Sequence, residues 1–183
     1  MENKSVIIKK METDGEIRGK AYVHYKSWQE AYAGLVDKGY LDSLTLQKTE
    51  NAAYKWRDNI IVAKDGERVV GFAGYGKYRD ETLSDTGEIF AIYVLSEYYG
   101  KGVGHALITE ALKLLPYPKI AVWELKGNAR ATRFYEKHSF VFDGCEQTIT
   151  LGTPVQVVRM ILNRCTKKQA EKISLFFMLE LRR

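Results

Sequence analysis

Two periods of apolar residues alternate along the chain and divide it into short elements. Apolar side chains recur every three or four residues between Asp14 and Ala33, which predicts an amphipathic helix, and a similar pattern over 41–58 predicts one or two more. Alternating or continuously apolar runs predict strands. These runs cover residues 5–10, 60–64, 68–78, 87–95, 119–125, 140–151 and 154–163. The chain therefore mixes helices and strands, and it contains no internal repeat.

Turn and breaker residues mark where these elements end. The pair Asp65-Gly66 between two strand-like runs predicts a tight hairpin. Pro116 and Pro118 end a helix at about Leu115, because proline lacks a backbone donor and clashes with the preceding turn. The predicted order is one strand, two helices, three strands, a helix, a strand, a helix and two strands.

A glycine-rich turn joins the strand-like run 87–95 to the following helix. Gly100, Gly102 and Gly104 carry no Cβ, so their backbone N–H groups can approach a ligand closely. They lead into a helix N-terminus, which carries about half a positive charge and attracts phosphate. The two familiar nucleotide motifs fit poorly. No Ser or Thr follows Lys101 as a P-loop requires, and the spacing of a dinucleotide fingerprint fails after Gly104.

A second motif covers residues 128–140 and reads Asn-Ala-Arg-Ala-Thr-Arg-Phe-Tyr-Glu-Lys-His-Ser-Phe. Together with the glycine turn, it resembles the GNAT superfamily of acetyl-CoA-dependent N-acetyltransferases, over roughly residues 4–163. That family has a phosphate loop of the form Gln/Arg-x-x-Gly-x-Gly/Ala and a later helix of the form Asn-x-x-Ala-x-x-Phe-Tyr-Glu-Lys-x-Gly-Phe. Two positions depart from these patterns. Tyr99 replaces Gln/Arg, and Ser139 replaces a glycine that favours a left-handed helix end.

The resemblance implies an α+β fold of three α/β layers, with a mixed, mostly antiparallel central sheet and helices on both faces. It also implies acetyl-CoA as the cosubstrate and no metal. In the family, the strand that carries Ile92 and Val94 splays from its neighbour, so that its free backbone groups pair with the pantetheine arm. The residues expected to bind the cosubstrate are Ile92, Tyr93, Val94, Tyr99, Gly100, Lys101, Gly102, Val103, Gly104, Asn128 and Tyr135.

Asn128 and Tyr135 lie two helical turns apart and face the same side of the predicted helix. The resemblance makes Tyr135 the expected general acid toward the departing CoA thiolate, and Asn128 a polar contact to pantetheine. Packing of Tyr135 in the core beside Phe134 is the alternative interpretation.

The reaction also needs a base, because an amine with a pKa of about 10.4 is mostly protonated at neutral pH. Glu88 aligns with the glutamate that histone-modifying members of the superfamily use as a base. Its side chain is expected on the strand face of Ile92 and Val94, unless a bulge shifts the register. Asp85, Glu124 and a chain of water molecules remain alternatives.

Trp28 and Tyr32, four residues apart on the first helix, are the expected substrate-binding residues, with core packing as the alternative. Residues 27–34 resemble a segment common in bacterial GNAT enzymes that act on small amines. The predicted function is acetyl transfer from acetyl-CoA to a primary amine of a small molecule or peptide by direct attack. The alternative is a catalytically weak acyl-CoA-binding or sensing domain.

Composition narrows the setting in which the protein acts. The net charge of +5 is explained by an anionic cosubstrate, and no Lys/Arg block interleaves with aromatic residues in the body of the chain, so we predict no nucleic-acid partner. No apolar run approaches the roughly 18 residues of a membrane span, and the N-terminus lacks an apolar signal segment. We therefore predict a cytoplasmic protein with no membrane partner, in which Cys145 and Cys165 are free thiols.

The resemblance also divides the chain. We predict an acetyltransferase domain over residues 1–165 and a basic, amphipathic C-terminal tail over residues 166–183. Packing of this tail on its own domain is the simplest expectation, a homodimer contact is the next, and binding to a membrane surface is the third.

Overall fold

A seven-stranded sheet with helices on both faces forms the protein in the computed structural model, which describes residues 6–164. The elements are β1 (Ile7–Lys10), α1 (Asp14–Ala31), α2 (Lys38–Ser43), α3 (Leu46–Lys55), β2 (Ile60–Asp65), β3 (Arg68–Lys77), β4 (Thr86–Val94), α4 (Val103–Leu114), β5 (Lys119–Leu125), α5 (Ala129–Glu136), β6 (Val141–Leu151) and β7 (Thr153–Asn163). Successive side chains of β3 point to opposite faces. Accordingly, Leu107 of α4 lies against Gly71, and His24 of α1 packs on Phe72.

The strand order is β1-β2-β3-β4-β5-β7-β6. Within residues 6–164, β4 and β5 form the parallel pair, and the other neighbouring strands run antiparallel. The predicted mixed, mostly antiparallel sheet is therefore confirmed.

Three helices lie between β1 and β2, where the predicted order has two. Thr13 caps α1 in a capping box. Its side chain accepts a hydrogen bond from the N–H of Glu16, and the Glu16 carboxylate accepts one from the N–H of Thr13. The stretch predicted as one or two helices over 41–58 divides because Thr45 caps a new helix by accepting from the N–H of Lys48. The chain therefore turns at Leu44 and separates α2 from α3.

The gap between β4 and β5 is the feature that positions the site. Their pairing ends at Glu88 and Ala121, so the rest of β4 has no partner on its β5 side. Between β3 and β4, Gly74 pairs with Ala91 and Tyr75 with Ile89, which leaves the intervening Phe90 as a bulge. The predicted splay of this strand is therefore present, together with a shift of register.

Some predictions concern residues outside 6–164. The tail over 166–183 and the thiol of Cys165 fall there, and the domain boundary at 165 stays a prediction. Within the described residues, Cys145 is a half-buried free thiol, and no helix is both long and apolar enough to cross a bilayer.

Candidate functional site

A cavity of about 590 Å³ opens where β4 and β5 separate. Its wall is built from the end of α1, the second half of β4, the glycine turn, the end of β5 and one face of α5. The two sequence motifs, 32 residues apart at Gly102 and Phe134, thus meet in one place.

The glycine turn leaves the N-terminus of α4 open to this cavity. Gly100 and Gly102 have φ angles of +72° and +81°, which glycine adopts at little cost. Gly102 is the N-cap residue, and no side chain caps the helix. A Cβ on Gly104 would lie 3.2 Å from the Phe134 ring of α5, so the third glycine allows α4 and α5 to approach closely. Free amide groups at a helix N-terminus with no side chain over them suit a phosphate group.

The splayed part of β4 forms the floor of the cavity. Ile92, Tyr93 and Val94 all line it. Because β4 has no partner on this side beyond Glu88, its main-chain groups are available to a ligand. An extended, amide-containing arm such as pantetheine fits this edge, and the residues present therefore suit acetyl-CoA.

Tyr135 reaches the cavity from α5. Its side chain is 7% exposed and packs edge-to-face against Phe134 and Phe140. Tyr135 is therefore part of the core and also lines the cavity. Within the described residues its hydroxyl makes no hydrogen bond to another side chain or to the backbone. Burial raises the pKa of Tyr135 far above its usual value, which keeps the hydroxyl protonated. Asn128 also lines the cavity and caps α5 by accepting from the N–H of Ala131 at 3.2 Å.

Glu88 lies outside the cavity wall, contrary to the expectation for a base. The bulge at Phe90 shifts the register, so Glu88 shares the face of Tyr93 and not that of Val94. Arg79 folds over the carboxylate and donates from its backbone N–H and, at 3.0 Å, from Nε. The side chain is 1% exposed and fully engaged in this ion pair.

Glu124 is the carboxylate that the structure brings to the cavity. Its Oε1 accepts a hydrogen bond from the hydroxyl of Thr132 at 2.7 Å, whereas its buried Oε2 has no partner among the described residues. Burial raises the pKa of Glu124, and the Thr132 bond only partly opposes this effect. A raised pKa makes the Glu124 carboxylate a stronger proton acceptor than an ordinary glutamate.

The two aromatic residues expected to bind substrate have different positions. Tyr32 lines the cavity, and its hydroxyl lies 3.0 Å from that of Tyr93. Trp28 packs edge-to-face behind Tyr32, with 4.8 Å between ring centres, and does not line the cavity. The remaining expected residue outside the wall is Lys101, whose Nζ lies 5.1 Å from the centre of the Tyr98 ring.

Helix α5 and the residues just after it contribute wall residues that the motifs did not predict. The cationic ones are Arg130, Arg133 and Lys137. The guanidinium of Arg130 lies 4.4 Å from the ring centre of Tyr99, so a cation stands beside the position where the family has Gln/Arg. His138 also lines the cavity, and its Nε2 lies 3.0 Å from Nδ1 of His105 on α4. Their helical spacing, which repeats every three or four residues, was the available signal.

Metal ligation has no support in the described part of the chain. Over residues 6–164, no three His, Cys, Asp or Glu side chains are grouped so that they could hold a metal ion.

Comparisons with known proteins agree with this geometry. The sequence profile of the acetyltransferase (GNAT) family matches residues 21–140. The chain is 32% identical to the uncharacterized N-acetyltransferase YuaI of Bacillus subtilis over 167 residues, which are 81% of this chain and 94% of that protein.

Solved structures share the fold. The PaiA N-acetyltransferase of Thermoplasma acidophilum in complex with coenzyme A superposes with a TM-score of 0.65 at 20% identity, over 87% of this chain and 99% of that chain. The ribosomal-protein-alanine N-acetyltransferase of Brucella melitensis gives a TM-score of 0.66 at 18% identity, over 86% and 99%. The family profile covers well over half of the sequence, and the chain therefore belongs to the acetyltransferase (GNAT) family.

Proposed function

We propose that the protein transfers the acetyl group of acetyl-CoA to a primary amine by direct attack of the amine on the thioester. The observation that carries this proposal is a single cavity that joins the open N-terminus of α4, the unpaired edge of β4 and the hydroxyl of Tyr135. The family membership supports N-acetyl transfer in general. Acetyl-CoA as the cosubstrate and a primary amine as the acceptor go beyond that general activity.

The cosubstrate would be held mainly by the main chain. Its pyrophosphate would lie on the amide groups of Gly102, Val103 and Gly104, where the helix dipole favours negative charge. Its pantetheine arm would lie along Ile92 and Val94. A backbone N–H of β4 would polarise the thioester carbonyl, and losing one such donor typically costs about 3 kcal/mol of transition-state stabilisation.

Two side chains would move the protons. As the new N–C bond forms and the C–S bond breaks, the amine loses a proton and the departing thiolate gains one. Glu124 is the proposed acceptor of the amine proton, because it is the only acid among the described residues of the cavity wall. Tyr135 is the proposed donor to sulfur, because burial keeps its hydroxyl protonated. Glu88 is the less favoured base, since Arg79 occupies its carboxylate.

Thermal unfolding tests the cosubstrate. A ligand at a hundred times its Kd stabilises a protein by about 2.7 kcal/mol, or roughly 5–10 °C for a chain of this length. We expect such a rise in Tm with acetyl-CoA and with CoA, but not with ATP or NAD. If neither CoA compound raises Tm at millimolar concentration, the glycine turn is structural and the proposal fails.

Replacement of Tyr135 by Phe tests the chemistry. We expect Tyr135→Phe to lower kcat by about 10²–10⁴-fold, the usual contribution of a general acid, while the Tm shift with acetyl-CoA stays the same. Tyr25→Phe, a matched change on α1 outside the cavity wall, should leave kcat unchanged. Turnover by Tyr135→Phe at the wild-type rate would remove Tyr135 from the mechanism. Binding of acetyl-CoA without turnover of any amine would favour an acyl-CoA-binding domain.

A further inference from the structure

The connection between α1 and α2 packs onto the turn between β6 and β7. Asp37 caps α2 by accepting a hydrogen bond from the N–H of Tyr40 at 2.8 Å. The same carboxylate lies so close to Gly152 in the β6–β7 turn that a Cβ there would fall 2.6 Å from its Oδ1. Gln29 also ties α1 to α2 by donating from Nε2 to the carbonyl of Leu41 at 2.7 Å. The α1–α2 connection and the β6–β7 turn are therefore in direct contact.

Apolar side chains fill the space behind that contact. Val36 and Leu41 from the helical side and Leu125 and Val157 from the sheet are each no more than 7% exposed. Within the described part of the chain, no residue of α2, β6 or β7 contributes to the cavity wall. The space between the α1–α2 connection and the β6–β7 turn is therefore filled by these side chains and is not part of the cavity.

The inner end of the cavity is aromatic and carries a single negative charge. The hydroxyls of Tyr32 and Tyr93 bond to each other, and Trp123, which precedes Glu124 along β5, also lines the cavity. Among the described wall residues Glu124 is the only acid, whereas α5 and its C-cap residue Lys137 supply three cations. An ammonium group enclosed here without a carboxylate would be strongly disfavoured. The wall thus provides a partner for one ammonium group and apolar area for the rest of a ligand.

We propose that the acceptor is a compact primary monoamine whose remainder is aromatic or otherwise apolar. This inference rests on the proposed function. Glu124 would match the single ammonium group, and the rings of Tyr32, Tyr93 and Trp123 would pack against the apolar remainder. A polyamine would bring a second ammonium group, for which the described wall offers no second acid. A peptide acceptor would bring backbone amide groups that the aromatic rings cannot pair.

A three-class amine panel tests the inference on the full-length protein. The probes are phenethylamine and benzylamine, the polyamines putrescine and spermidine, and a tripeptide that begins with alanine. Thiol release and mass spectrometry of the product give kcat/KM for each amine. We expect kcat/KM for the aromatic monoamines to exceed that for the other two classes by about tenfold or more, because an unpaired buried polar group discriminates strongly.

A charge variant tests the electrostatic part separately. Ala31 ends α1, is half-buried and lines the cavity. Ala31→Glu adds a second carboxylate there, and we expect it to raise kcat/KM for putrescine relative to phenethylamine by about tenfold, the effect of a close charge pair worth about 1.4 kcal/mol. Ala31→Gln has the same size without the charge, so it should leave the ratio unchanged. Equal ratios in the two variants would overturn the charge argument.

The outcomes separate this inference from the function on which it rests. Faster turnover of the polyamines or the tripeptide, with the Tm shift by acetyl-CoA intact, would overturn the inference and leave the proposed function standing. If acetyl-CoA gives neither a Tm shift nor turnover, the proposed function itself fails. Binding of acetyl-CoA with no acetylation in any class would overturn both, in favour of an acyl-CoA-binding domain.

Discussion

Glu124 is buried with one oxygen bonded to Thr132 and the other without a partner among the described residues. Such an arrangement is costly for a carboxylate, and it persists in proteins mainly where the group takes part in binding or chemistry. Its raised pKa sets the direction of a pH test. A base must be deprotonated to act, so the rate should fall as the pH drops through that raised pKa.

We expect Glu124→Gln to lower kcat/KM by about 10²–10⁴-fold at neutral pH, the usual contribution of a general base, and to abolish the acid limb of the pH–rate profile. The profile measured from pH 5 to 9 checks this. Glu88→Gln is the comparison, because Glu88 carries the same group in an ion pair with Arg79. A loss confined to Glu88→Gln, with acetyl-CoA binding intact, would assign the base to Glu88.

Ser139 adopts the left-handed backbone conformation, with φ of +64°, just after α5. The departure from the family glycine therefore retains the glycine conformation, although a side chain makes it unfavourable by roughly 1–2 kcal/mol. We expect Ser139→Gly to increase the free energy of unfolding by up to about 1 kcal/mol, partly offset by the greater chain entropy of glycine when unfolded. Urea unfolding measures this, with the exposed Ser43→Gly as the control. A destabilised Ser139→Gly variant would contradict this account.

At the scale of elements, local signals predicted most boundaries. The β5 range agrees with the predicted 119–125, because proline acts on the backbone within one or two residues. The predicted hairpin also forms, although Asp65 ends β2 and the turn residues are Gly66 and Glu67. The bulge at Phe90 and the cover that Arg79 places on Glu88 depend on pairing between distant strands. No local pattern encodes them, which is why Glu88 was expected in the cavity.

The cavity wall was predictable in the same uneven way. Its motif residues followed from glycine and Asn-x-x-Ala-x-x-Phe-Tyr spacing. Arg130 and His138 were missed, because a charged helix face is usually a solvated surface, and only the approach of α4 and α5 turns it toward a cleft. The contact of Asp37 with Gly152 joins segments more than a hundred residues apart and gave no signal.

The approach of α4 to α5 leads to a prediction for Gly104. A Cβ there would meet the Phe134 ring at 3.2 Å, and overpacking of this kind typically costs about 1–3 kcal/mol. We expect Gly104→Ala to weaken acetyl-CoA binding by about tenfold, since α5 must shift away from the glycine turn. Calorimetric titration measures the Kd. Gly15→Ala, where the nearest atom lies 3.8 Å from the new Cβ, is the matched control and should bind normally. Equal affinities would show that the cleft tolerates the shift.

At the scale of the whole molecule, Glu16 joins three elements at one edge of the sheet. Its side chain is 4% exposed, and it accepts from Lys9 of β1 at 2.9 Å and lies 3.5 Å from Lys64 of β2. Burial alone would raise its pKa, but the bonds from Lys9 and from the backbone N–H groups of Glu12 and Thr13 lower the pKa of Glu16 to about 2. Because the folded pKa lies below the unfolded one, the stabilisation is complete above about pH 4.5 and is lost as the pH falls toward 2.

We expect Glu16→Gln to reduce the free energy of unfolding by about 2–3 kcal/mol at pH 7, and the difference from the wild type to shrink steadily below about pH 4.5. Urea unfolding at pH 7, 4 and 3 measures it. Glu12→Gln removes the neighbouring partner of Lys9. Because the Glu12 side chain is 65% exposed, this change should alter the free energy of unfolding by no more than about 0.5 kcal/mol. A difference between Glu16→Gln and the wild type that does not vary with pH would contradict this account.

The separation of β4 from β5 bears on how such a protein evolves. A main chain presents the same N–H and C=O groups whatever side chains it carries. If the cosubstrate is read through the unpaired edge of β4, substitutions along that strand leave recognition intact as long as the strand keeps its place. Selection for a new acceptor can then act on the aromatic and carboxylate walls around Tyr32 and Glu124 without disturbing the donor. The gap in the sheet thus allows specificity for the acceptor to evolve independently of specificity for the cosubstrate.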